Sequence, residues 1–208
     1  RDFITNLIPE PTSSTFKYVT SDATGSGDGS IGSPWTLSQA QSASAGTTVY
    51  VKAGNYGSQT FTPSNSGTAS NPVKFIGYND TDGVGVNPTM AWTKTNPITE
   101  TSKFPVLSNG GANGINLSGS YKIVKNFQVD GYTTQIRANG TGLVIENSLG
   151  QNSPNGEICF LSDSKSNQKI RIKDCIGSDG GVCIFRFYGS GMSIEGTTAI
   201  QVSGGVDY

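Results

Sequence analysis

The sequence predicts an all-β solenoid, a chain wound into stacked coils of short strands and turns. Three observations predict it. A three-residue pattern recurs as Val124-Lys125-Asn126, Ile145-Glu146-Asn147, Ile172-Lys173-Asp174 and Ile194-Glu195-Gly196, at intervals of 21, 27 and 22 residues. A second series keeps step with it: Ile115-Asn116-Leu117, Gln135-Ile136-Arg137, Ile158-Cys159-Phe160 and Val182-Cys183-Ile184, with intervals of 21, 22 and 24. Two interleaved series with one period describe a supersecondary unit that stacks on copies of itself. The composition agrees: 28 glycines and only 14 % charged residues suit a turn-rich β protein and exclude a helical bundle.

Taken in order, residues 1–15 read as an extended arm or linker, because Pro9 and Pro11 break any helix and Ser13-Ser14-Thr15 is linker-like. The β domain spans 16–208. Phe16 to Thr20 has strand character, and 21–34 is a Gly/Ser/Asp loop. Thr36 to Ala45 reads as a short capping helix with Leu37, Ala40 and Ala43 on one side, started near Thr36 and ended by Gly46. Thr48 to Lys52 alternates cleanly, and Pro72 to Tyr78 is a second strand. Residues 79–103 interrupt the pattern with Pro88, Pro97 and Trp92, an insertion longer than an ordinary turn. Regular coils are expected from about Val106. Gly204-Gly205-Val206 repeats Gly180-Gly181-Val182 after 24 residues, so the last coil reads as incomplete. Further coils, or self-association, would cover its open edge.

Alternation assigns faces. Ile170 and Ile172 point inward, and Lys169, Arg171 and Lys173 outward. Asn126, Asn147 and Asp174 form a structural ladder at the corners, where a side chain can bond the next coil and tolerate left-handed backbone. Lys122 departs from the pattern, standing where other coils carry Leu143, Ile170 and Met192. Either that coil is distorted or its register slips by one. Cys159 and Cys183 read as equivalent positions on neighbouring coils, stacking inward as buried thiols or else as a disulfide.

Charge and residue content exclude some functions. A net charge of −1 without a basic run makes nucleic acid and anionic membrane poor partners, and no apolar stretch is long enough to span a bilayer. The chain has no histidine, which removes the commonest general base and transition-metal ligand.

The N-terminal motifs resemble a known family. Tyr18-Val19-Thr20-Ser21, Gly27-Asp28-Gly29, Ser33-Pro34-Trp35 and Gly46-Thr47-Thr48-Val49-Tyr50-Val51-Lys52-Ala53-Gly54-Asn55-Tyr56 are similar to the opening of secreted right-handed parallel β-helix proteins of the pectate-lyase-like superfamily. Asn71-Pro72-Val73-Lys74-Phe75-Ile76-Gly77-Tyr78 and Pro105-Val106-Leu107 resemble the next segments of those proteins. The likeness covers about residues 16–205. It implies a right-handed parallel β-helix, export to the cell exterior or to a cell or virion surface, and an extracellular polysaccharide as partner. Lyases, hydrolases, epimerases, tailspikes and adhesins share this framework, so the fold does not choose among them.

For a lyase, the resemblance implies a Lys or Arg base and a cation that neutralises a uronate carboxylate, either Ca²⁺ or another basic side chain. The richest outward patch is Lys169, Arg171 and Lys173, with Arg186 one coil further: a cationic groove for an acidic sugar chain, or a solvated strand face that keeps the sheet soluble. Asp163, Asp174, Asp179, Asp130 and Glu146 form no dense cluster, so no metal ligands are assigned and Ca²⁺ is a minor expectation. Tyr188 and Trp92 are candidate sugar-stacking residues, since a pyranose face is apolar, and Phe185 reads as core. The sequence thus leaves two function classes: a polysaccharide-engaging protein with lyase-type cleavage, or a non-enzymatic adhesin, tail-fibre or surface-filament subunit.

Overall fold

The computed structural model describes residues 15–79, 100–153, 158–162, 169–178, 183–188 and 191–200. Three parallel sheets make up the solenoid. The first runs in the order β1 (Thr15–Val19), β2 (Thr47–Lys52), β4 (Val73–Tyr78), β7 (Lys122–Lys125), β10 (Leu143–Glu146), β13 (Ile170–Lys173), β16 (Met192–Glu195). The second holds β3 (Gly54–Asn55), β5 (Pro105–Ser108), β8 (Gln128–Asp130), β11 (Leu149–Gln151), β14 (Ile176–Ser178) and β17 (Thr198–Ile200). The third holds β6 (Asn113–Ser120), β9 (Thr134–Thr141), β12 (Ile158–Ser162) and β15 (Cys183–Phe187). From β4 onward the chain visits the three sheets in turn, and the fold is a right-handed parallel β-helix. Its coils start before the insertion rather than at Val106, because β1, β2 and β4 already belong to the first sheet.

Alternation within each strand places β-branched and aromatic residues inside. In the first sheet Val49, Phe75, Val124, Ile145, Ile172 and Ile194 stand in one column. All but Ile194 are buried. Across the core, side-chain volumes compensate. The inner column of the second sheet reads Leu107, Val129, Gly150, Gly177 and Ala199. That of the third reads Ile115, Ile136, Phe160 and Phe185, with the two phenyl rings stacked 4.8 Å apart. Where the third sheet brings phenylalanine, the second brings glycine, so the interior stays filled at crystal-like density.

The corners after the first sheet use left-handed backbone. Asn126, Asn147 and Asp174 have φ of 63°, 44° and 51°, and Gly196 has 58°. Asn126 Nδ2 donates to Gly77 O at 2.9 Å, and Asn147 Nδ2 to Asn126 Oδ1 at 2.7 Å. Asn and Asp tolerate this conformation because a short polar side chain bonds locally. Gly196 is a different solution, since a Cβ there would lie 2.2 Å from Asp174 Oδ1.

Some expectations need correction. Lys122 neither distorts its coil nor shifts the register: it pairs with Val73, is fully buried, and donates from Nζ to Pro63 O and Ser118 O at 2.5 Å. Cys183 pairs with Ile158, so Cys159 and Cys183 are not at equivalent positions. The third-sheet equivalents of Ile136 are Phe160 and Phe185, because loops of unequal length separate the strands and constant spacing misaligns them. Cys175 is a buried free thiol, its pKa pushed up to about 12 by burial. The predicted ten-residue helix is reduced to α1 (Leu37–Ala40), held by a capping box between Thr36 and Gln39. The 1–14 part of the arm and most of the 79–103 insertion lie outside the described residues.

Candidate functional site on the outer face of the first sheet

The sequence-predicted cations fall on two faces. Lys169 precedes β13 and is exposed, while Arg171 and Lys173 point outward from it. Arg186 and Tyr188 belong to the third sheet and its end, so the five side chains do not line one groove. Arg171 is engaged by Glu195 at 2.9 Å. Lys173 stands in an outward column that reads Lys125, Glu146, Lys173, Glu195, with Lys125 and Glu146 joined at 3.2 Å. Charges alternate along this column, so Glu146 and Glu195 offset part of its positive charge. Arg186 Nε donates to Tyr188 Oη at 2.5 Å, with its guanidinium 4.8 Å from the ring centroid. Trp92 lies outside the described residues. Phe185 packs partly buried against the core.

The other half of the same face is aromatic, and sequence reasoning missed it. The column that ends in charges begins with Tyr18, Tyr50 and Ile76. Its neighbours are Phe16, Thr48 and Lys74 on one side and the Lys52–Tyr78 pair on the other. Tyr18 and Tyr50 stack at 5.7 Å, and Phe16 and Tyr50 at 6.0 Å. Tyr78 meets both tyrosines edge-on, at 6.4 Å and 6.2 Å. Phe16 is 51 % exposed, Tyr18 and Tyr50 are half-buried, and Tyr78 is buried. Desolvation, and then the neighbouring Tyr18, raise the Tyr50 phenol above its ordinary value. The result is a fixed aromatic platform flanked by the Lys52 and Lys74 side chains. Its signal in the chain is the alternation of Thr48-Val49-Tyr50-Val51-Lys52, which aims Tyr50 and Lys52 away from the core.

Among the described residues no group of three or more His, Cys, Asp or Glu side chains comes together, and no helix is long and apolar enough to cross a membrane. Glu146 is committed to Lys125, and Asp130 accepts from Asn152 Nδ2 at 2.8 Å.

No protein-family model and no curated protein matches the chain. Two solved structures are similar. A rhamnogalacturonan lyase shares 17 % identity over 89 % of this chain and 51 % of its own, with a TM-score of 0.53. The pectate lyase Pel9A shares 17 % over 83 % of this chain and 56 % of its own, with a TM-score of 0.35. The chain spans about half the length of each. The chain shares the parallel β-helix fold of the rhamnogalacturonan lyase.

Proposed function

We propose that this protein engages an extracellular polysaccharide through the aromatic half of its first sheet. The carrying observation is the cluster of Phe16, Tyr18 and Tyr50 on the outer face, packed against the buried Tyr78 and fixed in register by strand pairing. Tyrosine presents an apolar ring with a polar tip at little conformational cost, so it suits a ligand with apolar faces and hydroxyl edges. Lys52 and Lys74 beside the rings supply donors for hydroxyl or carboxylate groups. The lyase names of the similar structures support a polysaccharide as partner.

Cleavage by β-elimination is the second reading, favoured by those names and by the two lysines on the platform. Arg171 is less suited to serve as base, since its guanidinium is held by Glu195. The test is affinity electrophoresis in gels carrying alginate, pectate or chondroitin, with absorbance of unsaturated products measured with and without Ca²⁺. Retardation without product supports a binding protein of adhesive or structural type. Retardation with product supports the lyase. No retardation by any polysaccharide overturns the proposal.

A further inference from the structure

Beside the platform, the N-terminal loop forms an open polar cavity of about 310 Å³ whose lining includes Thr20, Asp22, Thr24, Ser26, Ser33 and Pro34, with Asp22, Thr24, Ser26 and Ser33 exposed. Small-molecule sites run from about 300 to 1,000 Å³, so this one lies at the small end of that range, a size that suits a sugar unit or two. Its walls are pre-formed. Gly29 N donates to Ser33 O at 2.9 Å, Trp35 N to Tyr18 O at 2.8 Å, and Thr20 N to Trp35 O at 3.2 Å. The two sides of the loop approach so closely that a Cβ on Gly27 would lie 2.0 Å from Pro34 O.

Cavity and platform adjoin. Val19 pairs with Val51 and Lys52 pairs with Tyr78, so Thr20 continues the outward row of Lys52 and Tyr78. Local hydrogen bonding and then the Lys52 charge hold the Asp22 carboxyl below the usual carboxylate range. Asp22 is therefore an ionised acceptor at neutral pH, at a place where hydroxyl side chains and backbone groups converge.

We propose that this cavity holds the terminal sugar of a glycan whose further units lie on Tyr18 and Tyr50. Asp22 accepts hydrogen bonds from two adjacent sugar hydroxyls, and Thr24, Ser26 and Ser33 take the remaining ones. A carboxylate that accepts two hydroxyl donors binds a diol more firmly than a neutral amide does. The inference rests on the platform reading and adds recognition of a chain end to it.

The experiment uses saturation-transfer NMR with D-glucose, D-galactose, L-rhamnose and D-galacturonate, and gel retardation with alginate, pectate and chondroitin. At least one monosaccharide is expected to bind the wild-type protein. Asp22→Asn and Ser26→Ala should each weaken that binding several-fold, with unchanged melting temperature and polymer retardation reduced far less than by Tyr50→Ala. Tyr50→Ala should do the reverse, abolishing retardation and sparing the monosaccharide. If no monosaccharide binds, or if Asp22→Asn binds it as well as wild type, the cavity is not a sugar site and the platform reading stands. If monosaccharides bind but no polymer is retarded, the platform reading and the chain-end assignment fall together.

Discussion

Asn147 Nδ2 donates to Asn126 Oδ1 at 2.7 Å, linking the corners of two coils, and Asn126 passes the link on to Gly77 O through its own amide. Both asparagines also sit at positive φ. Asn126→Ala therefore loses a fully buried hydrogen-bonding group and forces a Cβ-bearing residue without local compensation into left-handed backbone. A loss of about 2–5 kcal/mol is expected, combining about 1–3 for the orphaned partners with about 1–2 for the backbone. Asn126→Gly keeps the conformation, so it should lose about 1 kcal/mol less than Asn126→Ala. Urea unfolding of both variants measures the split; equal losses would show that backbone conformation contributes nothing.

Tyr50 touches three rings, so it is the centre of the platform. Tyr50→Ala should weaken polysaccharide binding at least tenfold, about 1.4 kcal/mol. Lys169→Ala, Arg171→Ala and Lys173→Ala combined should change it less than about twofold, since they lie away from the rings and exposed charges contribute little. Gel retardation of the two variants side by side decides between platform and cationic patch.

Glu146 lies between Lys125 and Lys173 in one outward column. Glu146→Lys would set three like charges on successive strands. A destabilisation of up to about 1 kcal/mol is expected at low salt, shrinking as salt screens the column. Melting temperatures at low and high ionic strength check both the sign and the salt dependence. Loss of stability that salt leaves untouched would point to packing instead.

Lys122 is the buried exception, and burial lowers its pKa from the ordinary 10.5. The folded protein therefore gives up this proton at a lower pH than the unfolded chain does. Between the two pKa values the unfolded state binds more protons, so stability rises with pH through that window. Below the folded value both states are protonated and the penalty is fully present. Lys122→Met removes this one contribution, while the buried Cys175 and the half-buried Tyr50 lower both midpoints alike at alkaline pH, so the wild-type midpoint should gain on that of Lys122→Met as pH rises through the window. A difference between the two midpoints that does not change with pH would mean that the two carbonyls compensate the buried charge completely.

Much of this solenoid is legible in the chain. The Asn126, Asn147 and Asp174 spacing marks the corners because side chain and backbone conformation are both local there, and Ile145, Ile172 and Ile194 mark the inner column because alternation is local too. Register in the third sheet is not local. It depends on loop lengths between strands, so constant spacing matches Ile158 to Ile136 where Phe160 belongs. Lys122 misleads for a related reason: the carbonyls of Pro63 and Ser118 that satisfy it come partly from another coil. The platform is hidden because Tyr18, Tyr50 and Tyr78 are far apart in sequence and meet only when their strands pair. Arg186 is grouped wrongly with Lys173 because linear proximity says nothing about which sheet a strand enters.

The exchange of glycine for phenylalanine across the interior implies that each turn of this protein carries its own complete filling. Turns are then nearly interchangeable modules, and inserting or deleting a whole one should cost little beyond the junctions. Trimming a single large residue without enlarging its counterpart opposite would instead leave a void that no neighbouring turn can fill.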